Sequence, residues 1–537
     1  MGGGTIQLAT FGIEDLYLTN NPQITFFKTV YRQYTNFSIQ SIESTFFDKP
    51  GFGDIGQLKI NKVGDLLTKM YLLIKIGAVN VTDKTKFAWV RKLGHAIIRM
   101  VEIVIGGIKI DRQYGVWLDI WNELSRKTNN DRGYAVMIGD VDILTEYNNK
   151  NKPEYILHIP LQFWFNRIVG LALPLIALQY HDVYLNIHLE EKEKLIITSQ
   201  NFGNYNRIKI NEVGILADYI YLDIDERKRF AQLTHEYLIE QVQFTGVDTV
   251  NTNINELTKL KLTFTNPTKE LIWVLRNSKY ITNKRFLYYT NNDNWNLIHP
   301  TKKLLYESML LVDCDTSEHF NFLVEDFTPG VKNKTSKNGN IIVINDSHSK
   351  VLLLNTNSLI FNGYSITDKI SAIVLVTEHN KIIITDILVE LSQEDISIPI
   401  EYMEDTRFYS DDVYINQPTN YGNFINSTGN PLNSAVIEYN GLNRIEPRQC
   451  NFFGVLQPYI YHSGCSVDGI NLYSFAFNPE WHQPTGISNL SEIEDVILKL
   501  WFRNNCNNNN DNDNELFIFA FSYNVIRINH GFIGIVD

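Results

Sequence analysis

Hydrophobic and polar residues alternate at period two along much of the chain. In the stretch 183–190, Val183, Leu185, Ile187 and Leu189 share one face, while Tyr184, Asn186, His188 and Glu190 share the other. That pattern predicts a strand with one face on a core and one on solvent. Leu260, Leu262 and Phe264 alternate with Lys261, Thr263 and Thr265 in the same way. Val496, Leu498, Leu500 and Phe502 alternate with Ile497, Lys499 and Trp501, so the second face of this strand is partly apolar. Further β-rich runs lie at 66–76, 100–110, 341–343, 351–354, 373–376, 381–391 and 516–528. Asn, Gly and Asp turns separate them and long helical patterns do not intervene, which points to antiparallel sandwiches rather than an α/β sheet. Gly106-Gly107, between two such runs, reads as a tight turn or bulge.

Two stretches carry helical spacing instead. Trp117, Ile120, Trp121 and Leu124 fall on one helical face, and both tryptophans are expected in the core or at an interface. From Asp225 to Gln241, the residues Phe230, Leu233, Tyr237 and Leu238 form a stripe opposite charged positions. This predicts a helical connector over 225–240, joining a first sandwich at 26–224 to a second at 241–537. Asp223, Asp225 and Glu226 open that helix, where acids interact favourably with the macrodipole, so they are read as a helix start rather than a metal cluster. The second half exceeds the first in length. The excess is assigned to about 280–400, as a β-rich insertion on a surface loop, since added loop length costs little. The Asn-rich tract 504–514, between two strong strands, reads as a solvated hairpin loop.

Composition narrows the class. With 44% hydrophobic and 20% charged residues, the 537-residue chain is globular. Its net charge of −12 repels phosphate backbones and no basic run offsets it, so direct nucleic-acid binding is not expected. Cys314, Cys450, Cys465 and Cys506 contain no CxxC pair, which argues for free thiols rather than a disulfide framework or a thiolate zinc site. The first residues lack a basic region followed by an apolar core, so no secretory signal is expected. The most apolar run, Gly170 to Leu178, is far short of the ~20 residues of a membrane span.

No constellation reads as catalytic. The histidines form no His-x-His pair, and His181 and His188, seven apart, would face opposite sides of an uninterrupted strand. There is no GxSxG elbow, Walker A loop or GxGxxG turn. No enzyme activity, metal or cofactor is expected. Among the Asn-x-Ser/Thr sequons, Asn333, Asn345 and Asn426 are the candidate glycan acceptors.

A family resemblance runs through these same phrases. Gly3-Gly4 with Gln7-Leu8, the run Leu18-Thr-Asn-Asn-Pro-Gln-Ile-Thr-Phe-Phe-Lys28 and the run Val30 to Phe37 resemble the opening of major capsid proteins of nucleocytoplasmic large DNA viruses, with the mimivirus-like group most similar. The match continues through 103–107 with 117–124, then 170–181, 225–240 and 266–274. It ends at 469–480 and His482-Gln-Pro-Thr-Gly486. The segment 280–400 resembles the family least. At 487–495 the chain departs from the family's Cys-Asn-Phe-Ser-Arg-Ile-Asp pattern, so the likeness fits a main shell protein and a less abundant paralogue alike.

The resemblance implies an all-β fold of two tandem eight-stranded jelly rolls, with short helices and a β-rich insertion in the second. It implies a structural protein of the virion, made in the host cytoplasm, whose homotrimers form pseudo-hexagonal capsomers of an icosahedral shell. An N-terminal arm, 1–25, would lie beneath the capsomer against minor capsid proteins or the internal membrane. The alternative is a virion-surface glycan-binding or glycan-processing sandwich, with Phe408, Tyr409 and Tyr414 stacking on sugar rings.

Overall fold

A computed structural model describes residues 3–10, 15, 19–29, 31–81, 85–126, 131–145, 147–198, 207–250, 257–278, 287–290, 429–464, 469–503 and 514–536, and between 334 and 416 only strand segments. An exposed N-terminal helix, α1 (Gly3–Ala9), precedes the first sandwich. Eight strands build that sandwich: β1 (Phe37–Thr45), β2 (Ile55–Lys59), β3 (Leu66–Ile76), β4 (Ile98–Ile105), β5 (Ile108–Gln113), β6 (Tyr155–Pro160), β7 (Val183–Leu189) and β8 (Ile210–Leu222). They form two antiparallel sheets, ordered β1-β8-β3-β6 and β2-β7-β4-β5. The first strand therefore pairs with the eighth, the second with the seventh, the third with the sixth and the fourth with the fifth. That nesting is a long hairpin rolled on itself, a jelly roll.

The second half repeats it. Its strands are β9 (His235–Val250), β10 (Leu257–Leu262), β11 (Pro267–Arg276), β12 (Leu432–Tyr439), β13 (Leu442–Asn443), β14 (Ile470–Ser474), β15 (Val496–Phe502) and β16 (Asn514–Asn529). The sheets run β9-β16-β11-β14 and β10-β15-β12-β13, with the same nesting. A last strand, β17 (Phe532–Val536), folds back onto β16. Between β11 and β12, strands at Lys334–Thr335, Ile341–Asp346, Ser349–Leu354, Lys369–Val376 and Ile382–Glu390 form one five-stranded antiparallel sheet. They pair with one another and not with either jelly roll. Most of 504–514 and the cysteines other than Cys450 lie outside the described residues; Cys450 is a buried free thiol.

Period two does what the sequence leads one to expect. Along β7 and β15, buried and half-buried positions alternate without a break. β4 and β5 are joined through Gly106-Gly107, whose positive φ values of 59° and 84° fit the two-residue hairpin turn that matches strand twist. A Cβ on Gly106 would stand 2.3 Å from the His181 ring, so that position has room for glycine alone, whereas Gly107 is favoured by its φ only.

The connector differs from expectation. The helix α3 spans only Ile224–Gln232, with the Asp223 side chain accepting from the Ile224 N–H, and His235 already begins β9. Leu233, a member of the expected stripe, is exposed. From His235 to Val250 the backbone pairs with β16 over nearly its whole length, and this ladder outweighs the local helical spacing.

Each jelly roll has its own core, including Leu72, Ile103, Leu157 and Ile187 in the first and Leu271, Trp273, Ile437 and Leu498 in the second. Ile239, Ile526, Ile528 and Ile533 of the second half join the first core, so the two units are packed together.

Candidate assembly surfaces

The helix α2 (Gly115–Ser125) projects from the first jelly roll and explains where its tryptophans go. Trp117 and Trp121 are buried and stacked on each other at 5.7 Å, and both touch Phe521. With Ile120 and Leu124 they pack on Ile272, Val274, Phe517 and Phe519 of the second jelly roll. The sheet containing β11 and β16 is thus covered on both faces: by its partner sheet on one side, by α2 on the other. Continuous burial along 516–523 follows from that and hides the alternation in sequence.

Charged groups line this junction. The Glu240 carboxylate on β9 accepts from Arg167 of the first jelly roll at 2.6 Å and from Lys269 on β11. The Arg167 guanidinium lies over Trp121 and Phe521, and Lys269 also donates to the Trp481 carbonyl at 2.9 Å. Burial pushes the Lys269 ammonium down in pKa, partly countered by Glu240. Asp111 on β5 accepts from the Val242 N–H at 3.1 Å, and Gln241 donates to the Ile110 carbonyl. Burial pushes the Asp111 carboxyl up to about 7, against the Val242 and Arg112 N–H donors and the Arg167 charge.

Two further networks fix the same joint. Lys92, in a left-handed backbone conformation, holds Asp119 at 2.6 Å and Glu123 at 2.5 Å on α2, and Tyr289 of the second half donates to Asp119 at 3.2 Å. Burial alone would lower the Lys92 pKa, but the two carboxylates outweigh it and raise it. His462 bridges Glu270 at 2.8 Å and Glu480 at 3.1 Å; burial opposes its charge, yet the paired carboxylates raise it to about 9. Gly464 donates to the Leu124 carbonyl at the end of α2. A cleft of about 700 Å³ also opens between the units, lined by Arg112, His188, Phe244, Arg276 and Glu515. Arg112 is paired with Glu102, and Arg276 with Glu515.

Sequence spacing announces none of these ion pairs: Arg167 and Glu240 meet through docking of the two halves, and the others through pairing of elements within one half. Of the residues singled out there, His181 accepts from the Ile533 N–H rather than joining His188. No group of three or more His, Cys, Asp or Glu among the described residues could hold a metal ion. Asn345 sits on the strand Ile341–Asp346, opposite Lys350, while Asn333 and Asn426 lie outside the described residues. Phe408, Tyr409 and Tyr414 belong to the hairpin Arg407–Tyr409 and Tyr414–Asn416. The arm leading into β1 is exposed, with Ile24, Phe26, Phe27, Tyr31 and Tyr34 uncovered by their own chain.

Comparison with known proteins gives this architecture a family. A model described as the major capsid protein N-terminus matches residues 25–223, and one described as the large eukaryotic DNA virus major capsid protein matches residues 226–534. Capsid protein 1 of Acanthamoeba polyphaga mimivirus is 35% identical, covering 100% of this chain and 99% of the relative. The major capsid protein of Phaeocystis pouchetii virus is 32% identical over the same shares. Among solved structures, VP54 of PBCV-1 superposes with a TM-score of 0.63 at 26% identity, covering 96% of this chain and 100% of that one. The Faustovirus major capsid protein shares the fold at a TM-score of 0.58 and 11% identity, over 97% of this chain and 95% of its own. Nested strands in two docked units, matched end to end by these relatives, place the chain in the family of large eukaryotic DNA virus major capsid proteins.

Proposed function

We propose that this capsid protein acts as a trimer whose six jelly rolls approximate a hexagonal tile, and that the tiles close into an icosahedral shell. The observation that carries this reading is the repeated nesting of sixteen strands in two units locked by α2, because three rigid pairs supply the six similar wedges a sixfold outline needs. No catalytic step is assigned to it. The uncovered aromatic arm supports contacts beneath the tile, with minor capsid proteins or the internal membrane, made after synthesis in the host cytoplasm. Asn333, Asn345 and Asn426 are the proposed glycan acceptors.

Size-exclusion chromatography with light scattering tests the tile: three chains of 62.1 kDa in one particle are expected, and a monomer would overturn it. Each trimer would carry three times −12, or −36, so trimers should join faster at physiological than at low salt. Equal rates at both would remove that electrostatic gate.

A further inference from the structure

Between Cys450 and Asn489 the chain carries two charged side chains other than histidine, Asp468 and Glu480, and no Lys or Arg. At the chain's average of 20% a stretch of that length would hold about eight. Glu480 is paired with His462, 3.1 Å away, which it shares with the buried Glu270. The stretch nonetheless reaches the surface with large apolar side chains: Tyr459 is 83% exposed, Phe477 78%, Trp481 61%, Ile460 53% and Ile487 50%.

These side chains stand on two segments tied to each other. The short helix Gln457–Tyr461 is held by the Ser474 N–H donating to Gln457 at 3.0 Å. The loop after β14 is closed by Asn478 and Phe477 donating to Thr485, and it is fastened to the helix end by Ser463 donating to Glu480 at 2.8 Å. The aromatics are therefore presented by a fixed support rather than a loose loop.

We propose that this charge-poor aromatic surface of the second jelly roll is the face through which one copy of the chain meets the next within the capsomer. The inference rests on the trimeric reading above and names its contact. Two identical chains of −12 repel wherever their charged surfaces approach, so close packing is favourable where the surface carries almost no charge. Depletion of charge with enrichment in Tyr, Trp and Phe is the composition of an interface centre. The area fits as well. Side chains of this kind present ~150–250 Å² each, so the exposed fractions leave on the order of 600 Å², close to the ~800 Å² per partner of a standard interface. A ring of three is closed by head-to-tail contacts, so the surface that receives this one is a different face of the neighbouring copy.

The test compares the wild-type chain with two separate variants, Tyr459→Asp and Phe477→Asp, by light scattering over a dilution series. Circular dichroism checks the fold of each. Both side chains are mostly solvent-facing, so the fold should persist while the concentration for half-dissociation rises at least 100-fold. Wild-type trimers with undiminished trimers from either folded variant would overturn the proposed face and leave the trimer standing, with the patch then free for another component. A monomeric wild-type chain would instead overturn the trimer, and this face with it. Should one variant fail to fold, the other decides.

Discussion

Glu240 is shared by Arg167 from across the junction and by the buried Lys269 of its own jelly roll, so removing its charge while keeping its shape probes how the two jelly rolls are held. In Glu240→Gln, Arg167 loses a partner at 2.6 Å and Lys269 loses its carboxylate, while Lys269 stays fully buried and Arg167 mostly so, with 13% of its side chain exposed. Stripping one member from a buried pair costs about 3–5 kcal/mol, because the remaining charge is left without compensation. The carbonyl of the introduced glutamine can still accept one hydrogen bond, and Lys269 keeps the Trp481 carbonyl and the faces of Phe521 and Tyr523. A loss near the lower end, about 3 kcal/mol, is therefore expected at neutral pH. Its pH dependence has a definite sign. Burial already holds the Lys269 pKa below the ordinary 10.5, and without Glu240 it falls further. Below that lowered value the variant bears the full cost of a buried ammonium; as the pH climbs towards 10.5, folded and unfolded chains alike become neutral there and the gap narrows. Urea unfolding read by tryptophan fluorescence suits the measurement, since Trp121 lies 5.3 Å from the Arg167 guanidinium. A variant within about 1 kcal/mol of wild type at pH 7, or a gap that stays constant up to about pH 10, would refute the reasoning.

Three more outcomes follow from the same junction. Trp117→Ala, which empties a buried site between α2 and Phe519, should cost about 3–5 kcal/mol in urea titrations, and normal stability would mean the helix does not dock. Asp111 has a folded pKa raised to about 7, so the native state binds a proton that the unfolded chain releases near 4; wild-type stability should fall as pH rises from about 4 to 7, by up to ~4 kcal/mol. Asp111→Asn should remove that slope, and parallel urea midpoints at about pH 5 and 7.5 would contradict it. Deleting residues 532–537 removes β17 and Ile533 from the first core and breaks the Tyr180–Phe532 stack, for about 2–4 kcal/mol. Limited proteolysis should then cut around 223–234 faster than in wild type; an unchanged rate would show that β17 does not brace the joint.

Where one face of a strand sees its own core and the other sees solvent, sequence alone was enough: β7 and β15 are legible residue by residue, and β3 has the bounds its apolar run suggests. The turn at Gly106-Gly107 was equally plain. Legibility failed where a second layer intervened. Residues 516–523 read as β-rich without revealing that both faces are covered, since α2, which hides the second face, lies almost four hundred positions earlier in the chain. Only the start of β9, residues 235–240, reads as helix from sequence, because Tyr237 and Leu238 also fit a helical stripe, and the ladder with β16 decides between them. Arg167, Glu240 and Lys269 stand apart in sequence and on different elements, so no local spacing could announce them as one cluster.

The long passage between β11 and β12 has a consequence of its own. The corresponding passage in the first jelly roll, between β3 and β4, takes residues 77–97, whereas this one takes 277–431, about sevenfold longer. Each doubling of a closed loop costs only ~0.6 kcal/mol, so an elaboration of that size burdens the fold by roughly 2 kcal/mol. The strands described there pair among themselves, so neither barrel takes a ladder partner from them. Its ends are anchored, Tyr289 in the junction and Asn430 on Asn471, but the sheet carried between them is set in a socket: ornament there can be exchanged, enlarged or trimmed by descent or by the engineer, and the masonry beneath it need not be recut.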